Sequence, residues 1–358
     1  YLITFLADNA ASNAAGAQLN QSMTPVPNSS PATPHTSLPT PADPRGSRAV
    51  TGVLAVMLAL VPIAGMPTEL VLQDTLKSAI VSAGTLAGMW VWWWEQRRQG
   101  GMTLQWHGIV LLPITLMAHA LGSMVWSHSC LAGVEAARWA VLGLLMWLVV
   151  QLAQPGHWMR LVWGIHWGAV GASAWTVAQF WGNLDWFPQA AAPASTFANR
   201  NFFAEYAVCA LPFSVLALAQ TSKPTWRLPM ALIVAFNLVA LMTTGTRSAL
   251  LALLCITPAL VGVLWRYRSQ LAWGQWHKQS LAAVLITGMV GVLALGSLPS
   301  QHPESLGQTA LTRSWLRAAS MAEKTVYAEG SFSYRSMMWK GTARMLVDNP
   351  GLGVGAGA

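Results

Sequence analysis

The chain has 358 residues, of which 54% are hydrophobic and only 9% charged, with a formal net charge of +8 and a mean hydropathy of +0.44. A soluble globular domain carries about 25% charged residues, so this composition excludes a soluble enzyme and indicates an all-α integral membrane protein. The positive balance does not point to nucleic acid, because the cations sit in short loops between apolar runs rather than in one patch.

Residues 1–48 are rich in Ala, Ser, Thr, Asn and Pro and are expected to be a disordered polar N-terminal segment, since such a composition cannot bury a core. Tyr1–Ala7 is apolar but too short to span, and no basic region precedes it as in a signal peptide. Nine candidate spans follow, at about 49–66, 76–94, 107–126, 131–152, 159–180, 203–220, 228–244, 247–265 and 279–297, each near the 20 residues a bilayer needs. Together they make a polytopic membrane domain over 49–297, and residues 298–358 begin an external loop. The sequence opens at Tyr1 rather than Met and stops inside a Gly-rich run, so a fragment of a longer protein is expected.

Loop cations set the orientation. Arg45, Arg48, Arg97, Arg98, Arg160, Lys223, Arg227, Arg266, Arg268 and Lys278 all fall on one side, which is read as cytoplasmic. The other side carries few: Lys77, Arg200 and Arg247, then Arg335 in the external loop, with Arg138 near a span end. Twenty Trp suit interfacial anchoring, and Trp92-Trp93-Trp94 with Arg97 and Arg98 reads as a cytoplasmic interfacial belt. Cys130, Cys209 and Cys255 are scattered without metal spacing and read as packing residues. His119, inside the third span, is expected to hydrogen-bond a neighbouring helix, and Glu135 and Arg138 to pair three residues apart.

Arg247 falls in the first turn of the eighth span, just after a Gly-Thr step. A cation there opposes the helix dipole and runs against the loop bias. Both costs make sense if an anion sits opposite, since helix N-termini bind phosphates. The plain alternative is a side chain snorkelling to outer headgroups. Ser333-Tyr334-Arg335-Ser336 opens another predicted helix, again with an arginine in the first turn, although Arg335 alone reads equally as a solvated residue. Two cationic entrances facing one compartment suggest a site for a phosphorylated or pyrophosphorylated substrate. Asn199, Arg200 and Asn201 enter the sixth span from the same side and, with Thr246, are candidate substrate-binding residues; the alternative for the asparagines is helix capping. His302 and Glu304 lie in the external segment, where a base would serve, without local support. Gly351–Gly355 lacks the strand and the Lys-Ser/Thr ending of a nucleotide loop and reads as a turn. No acidic cluster lies on the outer side, so neither a metal nor another cofactor is expected.

Three stretches resemble one family: TFANRNFFAEYAVCALPF entering a span, TTGTRSALLALL, and YRSMMWKGTARMLVDNPGLGVGAG. In order and topology they are similar to the superfamily of O-antigen ligases and O-antigen polymerases, which includes bacterial protein O-oligosaccharyltransferases. The resemblance covers roughly residues 50–358. It implies a multi-pass glycosyltransferase of the bacterial inner membrane whose nine spans lead into a large periplasmic loop. Its partners would be a donor oligosaccharide linked to undecaprenyl pyrophosphate, membrane lipids, and an acceptor that is a glycan, lipid A-core or a protein. The family's implicated arginines map onto Arg247 and Arg335 as catalytic residues, and its loop histidine is expected beyond Ala358. Asn-Arg-Asn at 199–201 departs from the commoner Asn-Pro-Asn, so the resemblance assigns Arg200 no role. The competing class is a transporter of an anionic solute. It would call for paired broken spans in related halves, whereas Pro113, Pro212 and Pro258 interrupt single spans without such pairing.

Overall fold

A computed structural model describes residues 44–68, 73–99, 104, 106–126, 131–152, 157–322 and 331–355. The expected disorder of residues 1–43, and Cys130, lie outside the described residues. Eleven α-helices follow one another among the described residues: α1 (Pro44–Ile63), α2 (Gln73–Arg98), α3 (Leu111–Ser123), α4 (Leu131–Gln151), α5 (Trp158–Gly182), α6 (Arg200–Ala219), α7 (Pro224–Thr243), α8 (Arg247–Arg266), α9 (Lys278–Gly296), α10 (Ala310–Ala319) and α11 (Ser331–Asp348). No strand forms among them, only isolated bridges such as Pro299 with Thr309.

Helices occupy every segment expected to span, but only five of them, α4, α6, α7, α8 and α9, are long and apolar enough alone to cross a membrane. Shorter apolar helices run over Arg48–Ile63 and Gly108–Ser123. α2 and α5 are long but carry polar side chains turned into the bundle: Gln73, Lys77 and Thr85 in α2, His166, Ser173, Thr176 and Gln179 in α5. Burial against neighbouring helices lets these groups find partners that lipid would not supply.

α5 is the hub and packs on α1, α6 and α7. Its contact with α1 is backbone-close. A Cβ at Gly168 would lie 2.7 Å from the carbonyl oxygen of Leu58, and one at Gly164 would overlap that of Ala55. Small residues one turn apart let two helices approach in this way. Phe203, Ala204, Ala207 and Val208 of α6 pack with Ala172 and Val177 of α5, Ala240 and Leu241 of α7, and Ala249 of α8. A second core joins Val50, Leu54 and Met57 of α1 to Trp92 of α2 and Leu148 of α4.

Hydrogen bonds and ring contacts sort the helix ends. At one end the Arg160 guanidinium donates to the Arg48 carbonyl (2.7 Å), and Arg227 lies 4.6 Å over the Trp276 ring. At the other end Lys77 Nζ donates to the carbonyls of Val61 and Ala64 and to Thr196 Oγ1, each at 2.9 Å, tying α1 and α2 to the segment before α6. Arg97 and Arg98 stack on Trp93 and Trp94, as the belt reading expects, while Trp92 turns into the core. Glu135 and Arg138 pair at 2.8 Å. Two expectations change. Cys209 and Cys255 are exposed rather than packed, and His119 is exposed, with its ring against Trp126 of the adjoining turn at 6.1 Å instead of a neighbouring helix.

Candidate functional site

α7 reverses into α8 through Thr244, Gly245 and Thr246. The threonine hydroxyls close the end of α7: Thr243 donates to Ala240 O (2.7 Å) and Thr244 to Leu241 O (2.8 Å). The Thr246 amide then donates to Thr244 Oγ1 at 3.2 Å. Gly245 takes φ +60°, a left-handed conformation that glycine adopts at no steric cost. It also leaves space. A Cβ there would stand 3.0 Å from Arg313 Nε, 3.1 Å from Arg313 Cγ and 3.3 Å from Arg317 Cγ.

Those two arginines belong to α10, which is seated on the bundle by its own sequence. Thr309 and Thr312 form a reciprocal cap at its start. Ser314 Oγ donates to Met242 O at 3.0 Å, fixing α10 to the end of α7. The segment before it is moored to the end of α5, where Phe180 O accepts from Ser300 Oγ and from the Gln301 amide, both at 2.9 Å. Arg313 and Arg317, one turn apart, are thereby turned toward the entrance of α8.

There the Arg247 Nε donates to Ser320 Oγ at 3.1 Å, and Ser320 Oγ donates to Arg317 O at 2.9 Å. Arg247, Gln308, Arg313, Leu316, Arg317 and Ser320 line a hollow of about 250 Å³. Among the described residues no carboxylate lines it. Arg313 is 5% exposed, its guanidinium lies 5.9 Å over the Phe180 ring, and its Nη1 finds no hydrogen-bond partner among the described residues. Burial, then the charges of Arg200 and Arg317, push its pKa down to about 10, against a smaller upward pull from Glu304. Arg317 is lowered by burial and by Arg200 and Arg247. Arg313 therefore stays protonated at neutral pH, and the guanidiniums repel one another with no carboxylate among the described lining residues. Such a hollow favours an anion.

Residues 232–358 match the family model described as O-antigen ligase (Wzy_C). This match supports membership of the O-antigen ligase superfamily. No curated protein and no solved structure gives a significant match. The O-antigen ligase segment begins inside α7 and contains the Gly-Thr-Arg turn, Arg313, Arg317 and Arg335, and it leaves Asn199, Arg200 and Asn201 outside.

The sequence-derived residues divide in two. Arg247 stands in the hollow. Thr246 Oγ1 beside it donates to Asn201 Oδ1 at 3.2 Å. Asn199 is the cap of α6, its Oδ1 accepting from the Asn201 amide at 2.9 Å, so for this residue the capping alternative describes the geometry. Arg200 donates to Ala192 O (3.4 Å) and pairs with Glu304 at 3.7 Å. Arg335 is not brought to this group. It is exposed on α11, which shares no substantial packing with another described helix. His302 is nearly buried, and its Nδ1 accepts from the Glu304 amide at 3.3 Å, a turn-closing bond. Among the described residues no group of three or more His, Cys, Asp or Glu is arranged to hold a metal.

The hollow contains two arginines that the sequence reading passed over. The available signal was the four-residue spacing of Arg313 and Arg317 behind a threonine cap, which puts both on one helix face.

Proposed function

We propose that the protein transfers a glycan from undecaprenyl pyrophosphate to an acceptor hydroxyl at the periplasmic face of the bacterial inner membrane. The observation that carries this reading is the hollow at the entrance of α8, inside the O-antigen ligase segment, whose described lining holds three arginines and no carboxylate. In such a transfer the bond from the anomeric carbon to the pyrophosphate oxygen breaks and a bond to the acceptor oxygen forms. The leaving pyrophosphate gains negative charge as the bond lengthens. Fixed guanidiniums stabilise that charge more in the transition state than in the ground state, which is what accelerates the step. Arginine suits the task because it stays protonated and meets phosphate oxygens with a planar fork.

In this reading Arg247 is the catalytic cation. Asn201 positions it indirectly by holding Thr246, and Asn199 holds Asn201. Arg200, at the rim with Glu304, adds to the positive field. Arg335 on α11 acts with the acceptor rather than in the hollow. Guanidinium cannot take the acceptor's proton, so these residues grip and orient while another group serves as base. The cation-rich helix ends around Arg48, Arg160 and Arg227 face the cytoplasm, which turns the hollow to the periplasm. The acceptor is lipid A-core in the ligase reading, and a growing glycan or a protein in the alternatives.

The test uses the purified full-length protein with a prenyl-pyrophosphate-linked oligosaccharide. Release of prenyl pyrophosphate and glycosylation of lipid A-core, glycan or protein are followed, with and without EDTA. Transfer that persists in EDTA is expected. No transfer to any of the three acceptors sinks the reading, and activity lost in EDTA and restored by Mg²⁺ or Mn²⁺ removes its metal-independent form.

A further inference from the structure

We infer that the groove between the starts of α5 and α7 holds one anionic phospholipid, its phosphodiester on Lys223 and its acyl chain along Trp163, Trp167 and Trp226. The site is remote from the proposed transfer. α7 has 20 residues, so ~30 Å separate Lys223, before its first turn, from the Gly-Thr-Arg turn after its last.

Helix geometry makes the groove. Trp163 and Trp167 lie one turn apart on α5, and Trp226 and Met230 one turn apart on α7. Residues four apart share a helix face. Both pairs line one hollow of about 350 Å³, with Gln220, Ser222 and Lys223 of the α6–α7 turn at one end of it. Both helices start at that end, so Trp167 and Met230 lie deeper than Trp163 and Trp226. The hollow is therefore polar and cationic at the helix ends and apolar toward the membrane interior. Val162 of α5 and Ala217 of α6 pack on Met230 and form its floor. Trp167 and Trp226 are exposed, so it opens sideways, where lipid surrounds the bundle.

Charge selects the occupant. The segments at this end carry Arg160, Lys223, Arg227, Arg266, Arg268 and Lys278. The sequence has no Asp or Glu between Glu135 and Asp185, and none between Glu205 and Glu304. These segments thus supply no carboxylate to their own cations. Arg227 is engaged in the turn, donating to Ser222 O at 3.0 Å and lying over Trp276. Lys223 makes no ion pair among the described residues. It is the N-cap of α7, and its side chain makes no cap bond, so the positive end of the helix adds to its charge.

A zwitterionic headgroup would place its own ammonium among these cations. A phosphodiester with a hydroxylated headgroup instead gives Lys223 its anion and offers hydroxyls to Gln220 and Ser222. A free phosphate would leave the tryptophan walls without a partner, whereas an acyl chain fills them. Cationic pockets between membrane helices on the cytoplasmic side suit anionic lipid headgroups in this way.

The probes are phosphatidylglycerol, phosphatidylcholine and inorganic phosphate. Each is added to the purified full-length protein after delipidation in an uncharged detergent. Retained lipid is counted by native mass spectrometry, and the melting temperature is followed against probe concentration. Phosphatidylglycerol should be retained and should raise the melting temperature to a plateau, and the other two should do neither. Lys223→Gln should weaken phosphatidylglycerol binding about fivefold, the worth of one cation at a membrane surface, and Trp226→Ala should weaken it by a similar factor. Both side chains are exposed, so neither change disturbs the core. Lys278→Gln, at the same end but outside the hollow, should leave binding unaltered. Equal effects of the two lipids, or of phosphate and phosphatidylglycerol, overturn the inference. So does unchanged affinity in Lys223→Gln, and so does an equal loss in Lys278→Gln, which would mean diffuse surface attraction. None of these readouts involves glycan transfer, so the inference and the proposed activity fail separately.

Discussion

Replacing Gly245 by alanine isolates what the α7–α8 turn contributes to the site. Two effects act together. The residue sits at φ +60°, where an L side chain costs about 1–2 kcal/mol. The new Cβ would also stand 3.0 Å from Arg313 Nε and 3.1 Å from its Cγ. Arg313 cannot swing away freely, because it is 5% exposed and lies over Phe180. It must shift by a few tenths of an ångström, taking α10 with it. A displacement of about 1 Å at a reacting centre costs about a hundredfold in rate, so a loss of about tenfold is expected here. Initial rates of glycan transfer and a thermal melt are measured in parallel. Gly262→Ala, within α8 and with nothing near its added methyl, is the control and should keep the wild-type rate. Gly245→Asn separates the two effects, since asparagine tolerates the left-handed region better but pushes on Arg313 just as hard. It should regain stability and not rate. A Gly245→Ala protein with wild-type rate and wild-type pyrophosphate affinity would refute the reasoning.

Arg247→Lys keeps the charge but loses the fork, and transfer should fall about ten- to hundredfold; Arg266→Lys should be nearly silent, and equal losses at both would argue against a localised site. Arg335→Lys should lower transfer while leaving pyrophosphate affinity unchanged, because α11 stands apart from the hollow; weakened binding would put it in the grip. Lys77→Met strands three acceptors that now receive bonds of 2.9 Å, at about 1–3 kcal/mol for each group left unsatisfied. A clear drop in melting temperature follows, and an unchanged melt would mean that Lys77 does not hold α1 to α2. In intact cells Thr309→Cys should label with a membrane-impermeant thiol reagent, and Arg97→Cys only after the inner membrane is opened; the reverse pattern ends the proposed orientation.

The helices were legible because each is an apolar run of near-bilayer length bounded by charges or turn residues, and that signal is local. Arg247 was legible because it breaks two rules together, the helix dipole and the loop bias. Arg313 and Arg317 were not. They lie in a ten-residue helix whose charged and apolar residues resemble any solvated external segment, and only its seating on Gly245 and Met242 gives them a role. Arg335 shows the limit of the first-turn argument: it satisfies the same pattern as Arg247, yet its helix remains exposed. The cysteines show another limit. In a soluble protein an apolar neighbourhood marks the inside. In a membrane bundle the outer face is equally apolar, so Cys209 and Cys255 could not be placed by hydrophobicity. The resemblance to O-antigen ligases came through motif order, and the family match over 232–358 supports it.

The bond from Arg247 to Ser320 joins residues 73 positions apart. Chains emerge from the ribosome at about 5–20 residues per second, so Arg247 enters the membrane about 4–15 s before the segment that completes its surroundings. During that interval α8 carries a cation at its entrance with none of its later neighbours. When α10 does arrive it brings two more positive charges, and its docking through Ser314 and Ser300 has to overcome their repulsion. That docking step is thus opposed electrostatically, and an anion already resting on α8 eases it. Newly made molecules should therefore acquire their protease-resistant form faster where prenyl pyrophosphates are abundant, and under the proposed function the donor would then help its own enzyme to fold.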